Sequence, residues 1–314
     1  MTEESLVSVI INCYNGEKYL KEAIDSILAQ TYHNWEVIIW DNQSTDKTAE
    51  IVRQYNDDRI GYYYAQDHVM LGVARNQAMS KAKGEFITFL DYDDVWLPSF
   101  LDKIISTFGD NGEEYAFVYS NYFNWIESTE LIVNNQDNHS AIKGFYDLLA
   151  SYSIGMSAVV IKSSILKQMK VTFNSDYQLI EDYEFFLKLA YHQKAYYIAD
   201  PLMKYRMHSG SLTVTMRKNW GAEFQQLYDD LTNQWLTEEE IKQCMPGLKW
   251  LKVRIARSEI EKNVREGHRI KSLLILLKNV RYSFKLWVML LVIILPTSTY
   301  MKIMHKLRRR DYAC

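Results

Sequence analysis

The chain has 314 residues, room for one large domain or two ordinary ones. Hydrophobic residues at 48%, with only 12 Gly and 4 Pro, exclude a collagenous, low-complexity or disordered polymer. The near balance of 36 Lys+Arg against 39 Asp+Glu excludes a global attraction to nucleic acid, so no specific nucleic-acid partner is expected. Cys13, Cys244 and Cys314 are odd in number and lack a CxxC, which argues for a reducing compartment over a disulfide framework or a structural zinc site. The apolar stretch Leu6 to Ile11 is too short, and its flank too acidic, for a secretory signal, so the body is expected in the cytoplasm.

Taken in chain order, the first 120 residues alternate short apolar runs with helical periods, the pattern of a parallel α/β sheet. Leu6 to Ile11 reads as a central strand and Lys18 to Ala29 as an amphipathic helix. Glu36 to Trp40 reads as a second strand, followed by a loop from Asp41 to Thr45 and a helix from Lys47 to Tyr55 with Asp46 as its N-cap. A strand Ile60 to Tyr64, a helix Val73 to Lys83 stopped by Gly84, a strand Glu85 to Leu90 and a helix after Pro98 continue the alternation. From Tyr115 to Thr215 the pattern is mixed, with strands at Tyr115 to Tyr119, Ala158 to Ile161 and Pro201 to Tyr205 and a helix from Glu181 to Tyr191. Beyond Arg217 it is helical, broken at Pro246-Gly247, Gly267 and Pro296.

The sharpest chemical feature is Asp91-Tyr92-Asp93-Asp94, three carboxylates in four positions just after an apolar strand. Like charges this close repel unless a divalent cation neutralises them, and Mg²⁺ or Mn²⁺ is held by one or two carboxylates plus substrate phosphates. An Asp-rich turn capping the next helix is the alternative. The string Asp91-Tyr-Asp93-Asp94-Val95 is similar to the first motif of haloacid dehalogenase-like phosphatases, which would make Asp91 a nucleophile and Asp93 an acid. That motif normally opens its domain, whereas two or three βα units precede it here.

A second resemblance covers far more of the chain. Ser8-Val-Ile-Ile-Asn-Cys-Tyr-Asn15, Trp35-Glu-Val-Ile-Ile-Trp-Asp41-Asn42-Gln-Ser44-Thr45-Asp46-Lys-Thr48, Gly72-Val-Ala-Arg75-Asn76, Ile180-Glu181-Asp182-Tyr183-Glu184 and Tyr205-Arg206-Met-His208 stand in one order around the DxD. Together they resemble a GT-A family 2 glycosyltransferase of bacterial surface-polysaccharide type over roughly the first 215 residues. The resemblance implies a Rossmann-like mixed sheet with a nucleotide-sugar half to about Asp94, an acceptor half to about Thr215, and a helical extension over 216–314. It implies that Asn12, Cys13, Tyr14, Asp41, Asn42, Arg75, Asp91 and Arg206 hold the nucleotide sugar, and that Asp91, Asp93 and His208 serve a divalent metal, Mn²⁺ or Mg²⁺. Asp182 would be the general base that deprotonates the acceptor hydroxyl, with inversion at the anomeric carbon, and Glu181 would hydrogen-bond the acceptor. The family usually has a second Asp where this chain has Asn42; either oxygen accepts the N3–H of uracil or thymine, so a UDP- or dTDP-sugar remains the expected donor. Asp41 and Asn42 also suit a tight turn bonding its own backbone, and Arg206 and His208 suit a structural ion pair. A noncatalytic sugar-nucleotide or membrane-binding module of the same fold is a third reading.

The tail bears on the acceptor. Leu286 to Leu295 is an unbroken run of ten apolar residues, about 15 Å as a helix, half of a roughly 30 Å hydrocarbon core. Lys302, Lys306, Arg308, Arg309 and Arg310 follow among apolar side chains. The stretch 268–310 is therefore expected to associate with the inner membrane surface, which suits a polyprenyl-linked glycan acceptor; packing on the body of the protein is the alternative.

Overall fold

The computed structural model describes residues 4–110, 115–134, 141–215, 220–300 and 303. They form two compact units, one of residues 1–145 and 153–208, the other of residues 146–152 and 209–314.

The first unit is an α/β sheet. Strands β1 (Val7–Cys13), β2 (Trp35–Asp41), β3 (Ile60–Tyr64) and β4 (Phe86–Phe89) run parallel, joined through α1 (Leu20–Leu28), α2 (Thr48–Val52) and α3 (Leu71–Met79). There follow β5 (Val95–Trp96), α4 (Phe100–Asp110), β6 (Tyr115–Ile126), β7 (Leu131–Asn134), β8 (Ile142–Lys143), then α5 (Phe145–Ala150), which belongs to the second unit from Tyr146 on, and β9 (Val159–Lys162), α6 (Ser163–Met169), α7 (Glu181–His192) and β10 (Lys194–Met207). The strand order is β3-β2-β1-β4-β9-β6-β10-β5, with β7 on β6 and β8 on β10. Strand β9 is antiparallel to both β4 and β6, so the sheet is mixed, as expected of the fold. All seven residues of β1 are buried, because the strand is central and covered on both faces. Helix α1 lays Leu20, Ala23, Ile24 and Ile27 into the core at helical spacing.

Three local expectations are corrected. Helix α3 ends at Met79, and Gly84 is no helix stop: a Cβ there would sit 2.6 Å from the Leu6 carbonyl oxygen and 2.7 Å from the Ser8 nitrogen, so glycine is required where the chain enters β4 against β1. Lys47 occupies the N-cap of α2, while Asp46 accepts from the Thr48 and Glu17 amides and joins two loops. The late strand runs on both sides of Pro201, which falls at a register irregularity where a missing N–H is tolerated.

The second unit is helical: α8 (Leu212–Thr215), α9 (Trp220–Asp230), α10 (Glu238–Gln243), α11 (Met245–Arg265), α12 (Arg269–Asn279) and α13 (Phe284–Val292). Pro246 stands in the first turn of α11, where its missing N–H costs nothing, so Pro246-Gly247 opens a helix. Gly267 ends α11 at φ +82°, the left-handed conformation that favours glycine. Ala256, Ile260 and Val264 of α11 pack with Leu276, Leu286, Met289, Ile293 and Tyr300 in a core of this unit's own. The basic stretch from Lys302 to Arg310 lies outside the described residues.

Candidate active site

The register of β1 pairs Cys13 with Asp41 and Ile10 with Phe89, so the chain leaves β1, β2 and β4 side by side at one edge. In an open α/β sheet that edge, beyond the carboxyl ends of the strands, is where ligands bind. The loops after β1 and β2 are laced together: the Asn15 amide donates to Ser44 Oγ at 2.8 Å, the Thr45 amide to Asn15 Oδ1 at 2.9 Å and the Gly16 amide to Thr48 Oγ1 at 2.9 Å. Cys13 lends its carbonyl to the Asn42 amide at 2.8 Å. Burial, then the nearby Asp41, push the Cys13 thiol far up, so it stays neutral and no nucleophile. Asn12 is buried with its Nδ2 unpartnered among the described residues, and Tyr14 stands half exposed with its ring 4.4 Å from that of His68.

The side chains of Asp41 and Asn42 build the loop. Asp41 accepts from the Ser44 amide at 2.7 Å and from Tyr62 Oη at 2.6 Å and is fully buried. Asn42 clamps Val69, donating Nδ2–H to its carbonyl at 2.7 Å and accepting its amide at Oδ1 at 3.1 Å. This is the tight-turn role: it holds the loop beside Tyr14 and His68 and engages Asn42 Oδ1 and both Asp41 carboxylate oxygens within the protein.

After β4, the three carboxylates have three different fates. Asp94 is buried, accepting from Ser157 Oγ at 2.7 Å and from the Arg206 amide at 2.9 Å, while Ser157 Oγ also accepts the Asp91 amide at 3.0 Å. Burial, with the repulsion of Asp93 and Asp91 behind it, drives the Asp94 carboxyl well above its usual range. Asp93 meets His208 Nε2 at 2.8 Å. Asp91 is one-third exposed and touches Arg75 at 3.2 Å.

Arg206 is held by the protein. Its Nε donates to the Asp93 carbonyl at 2.7 Å, Nη2 pairs with Glu22 at 2.5 Å, and the guanidinium lies 3.8 Å from the centre of the Trp125 ring and 4.8 Å from that of Tyr19. A fork so engaged fixes the loop after β4 and leaves little for a diphosphate, the structural alternative for this residue.

Arg75 connects the two halves. Gly72 brings the first turn of α3 close to Phe173, whose Cβ would be a tight 3.3 Å from an added methyl group, and Arg75 follows one turn on. Its Nη1 donates to Glu181 Oε1 at 2.6 Å and Nη2 to Asp91 Oδ1 at 3.2 Å. Asn76 fixes the same segment by exchanging two hydrogen bonds with the Phe173 backbone, at 2.7 and 2.9 Å. Asp182 follows Glu181 in the first turn of α7, close enough for its charge to raise both Glu181 and Asp91. Burial, against the pull of Arg75, lifts Glu181 to about 8, and its Oε2 is buried without a partner among the described residues. One guanidinium thus faces three carboxylates, more negative charge than it compensates.

Residues 8–166 match the family model for "Glycosyl transferase family 2", half of the chain. The chain belongs to this family. An uncharacterized glycosyltransferase of Rickettsia typhi is 30% identical over 245 residues, 76% of this chain and 75% of that protein. The UDP-Glc:alpha-D-GlcNAc-diphosphoundecaprenol beta-1,3-glucosyltransferase WfgD of Escherichia coli is 33% identical over 183 residues, 56% of this chain and 69% of that protein. Among solved structures, S. aureus TarS 1–349 in complex with UDP-GlcNAc superposes with TM-score 0.65 at 16% identity, covering 97% of this chain and 92% of that one, so the fold is GT-A. The phosphatase reading falls with this result, since Asp91 follows the fourth strand of a glycosyltransferase sheet.

For a family 2 transferase, the donor chemistry after β4 fits a hard divalent ion. Asp91 and Asp93 present carboxylate oxygens at the ligand edge, and the repulsion among Asp91, Asp93 and Asp94 is what a cation relieves. Among the described residues no three His, Cys, Asp or Glu side chains converge on one point, so the expected Asp91, Asp93 and His208 set is not gathered; His208 instead holds Asp93. The fit is to one or two carboxylates completed by phosphate oxygens. Sequence reasoning missed Ser157 and Glu22, which carry no motif, and left Asn76 without a role although it adjoins Arg75 in the matched string.

Proposed function

We propose that this family 2 glycosyltransferase moves a sugar from a UDP- or dTDP-sugar to a hydroxyl of a lipid-linked glycan acceptor, with inversion, in surface polysaccharide or glycan assembly. The observation that carries the reading is the bridge Asp91–Arg75–Glu181, which ties the carboxylates at the ligand edge to the first turn of α7 where Asp182 stands. The base rests beside Tyr14, with the diphosphate reaching toward Asp91 and Asp93. A Mn²⁺ or Mg²⁺ ion held by these two carboxylates would neutralise the charge that develops on the leaving diphosphate. Asp182 takes the proton of the attacking hydroxyl, and one base on the face opposite the leaving group yields inversion. Glu181, kept largely protonated at neutral pH, donates from its unpaired side to an acceptor or donor-sugar oxygen. The lipid-linked acceptor is supported by the substrate in WfgD's name, and the inner membrane surface by the basic tail. No helix of the described residues is long and apolar enough to cross a membrane, which is consistent with a peripheral mode of attachment.

The test is Asp182→Asn. Transfer should fall by about 10² to 10⁴ in kcat while nucleotide binding by calorimetry is retained. Undiminished turnover would remove Asp182 from the chemistry, and a wild-type protein that binds nucleotide without turnover under any acceptor would be a binding module.

A further inference from the structure

Helices α12 and α13 have two apolar faces each, and among the described residues one of the two is buried. Ser272 and Leu276 of α12, and Leu286, Met289 and Ile293 along α13, are buried against α11. On the outer side, Ile270, Leu274 and Leu277 recur at i, i+4 and i+7, and Trp287, Leu291 and Ile294 repeat the same spacing; these six are 49–83% exposed. The two helices pack on each other and bury their inner residues in one core. Arg269 fixes the pair by donating to the Ile293 carbonyl, an orphan at the end of α13, and to Thr297 Oγ1 at 3.0 Å. An apolar face of this size standing in water marks an interaction site.

Charge identifies the occupant. From Gly267 to Arg310 there are ten Lys and Arg and no Asp or Glu, whereas the rest of the chain holds 26 against 39. Lys271 lies about 100° around α12 from Ile270 and Lys278 two turns later on the same flank, both exposed, so their ammonium groups stand beside the apolar face. Arg281 is exposed just beyond. An apolar strip with a basic rim and one half-exposed Trp suits the boundary between acyl chains and anionic headgroups, while a second copy of this face would bring like charges together. At about 16 Å and 13 Å the helices are too short to span, so they lie in the plane.

We infer that the outer face of α12 and α13 is a docking surface for an anionic lipid bilayer, inserting Ile270, Leu274, Leu277, Trp287, Leu291 and Ile294 with Lys271, Lys278 and Arg281 at the headgroups. This deepens the membrane reading above by naming the surface, and it places attachment in folded helices in addition to the terminal basic run.

The test is sedimentation of the full-length protein with vesicles of phosphatidylcholine alone and with one quarter phosphatidylglycerol. Expected is binding to the anionic vesicles, weakened by salt, with partition lowered at least about tenfold in Leu274→Asp/Leu291→Asp and in Lys271→Glu/Lys278→Glu. Leu131→Asp, at an equally exposed apolar position of the first unit, should bind as wild type. Trp emission should shift to the blue on vesicle addition and lose that shift in Trp287→Phe. Unchanged partition in both double variants would overturn the inference, as would absence of vesicle binding together with a wild-type dimer that Leu274→Asp/Leu291→Asp dissociates, which would make the face a self-association surface. Nucleotide calorimetry without vesicles is read on the same samples: failure there strikes the transferase reading, failure of partition strikes only this surface.

Discussion

Replacing Arg75 by methionine removes a guanidinium whose side chain is 4% exposed and which is bonded at 2.6 Å to Glu181, itself 6% exposed. Truncating one partner of a buried pair costs about 3–5 kcal/mol, because the other charge is left without compensation. The contact with the more exposed Asp91 adds little, at most about 1 kcal/mol. Glu181 escapes part of the penalty by holding a proton, since burial already lifts it to about 8, so at pH 7 the lower end, about 3 kcal/mol, is expected. At about 2 °C per kcal/mol the thermal midpoint falls by about 6 °C. The sign with pH follows from the lost guanidinium, which lowered the carboxyl: without it Glu181 holds its proton to still higher pH. Above about pH 8 the folded variant therefore binds more protons than the folded wild type, and its deficit widens. Urea titrations at pH 6, 7 and 9 read this, and Arg75→Met/Glu181→Gln should recover at least about 2 kcal/mol of the loss. A single variant within about 0.5 kcal/mol of wild type, or a double variant no better than the single, would refute the bridge.

Ser157→Ala leaves buried Asp94 without one donor and the Asp91 amide without its acceptor, so urea unfolding should show a loss of about 1–3 kcal/mol. Glu181→Gln tests the raised carboxyl directly. In the wild type the folded carboxyl titrates near 8 and the unfolded one at its ordinary 4.5, so between these values the folded state holds the extra proton and stability falls with rising pH. The glutamine variant lacks that slope, and the stability difference should move in its favour by up to about 1.4 kcal/mol per pH unit across this window. Parallel curves from pH 5 to 8 would contradict the shift.

What the sequence showed, and what it hid, follows from the range of the interactions. Strands β1 to β4 and helices α1 and α7 are legible because burial on one or both faces writes a period of 3.6 or an apolar run into neighbouring residues. Asp91, Asp93, Glu181 and Asp182 are legible because carboxylates crowded next to a strand or in a helix's first turn stand out locally. The engagement of Arg206 is not, since its partner Glu22 is 184 positions away and Trp125 lies on another strand. Likewise the Asn42 amide meets Val69 across 27 positions, and no spacing rule connects them. Gly84 looked like a helix stop because glycine commonly is one; its reason is a backbone 76 positions earlier in the chain. For α12 the expectation of membrane association over 268–310 carried no facing, because only the fold shows which side α11 covers.

The most direct measurement is calorimetric titration of UDP, dTDP, GDP, CMP and ADP into the purified protein with Mn²⁺ or Mg²⁺, and again with EDTA. The account predicts binding of a pyrimidine diphosphate that weakens sharply when the metal is removed. Absence of binding for every nucleotide, with metal and without, would contradict it.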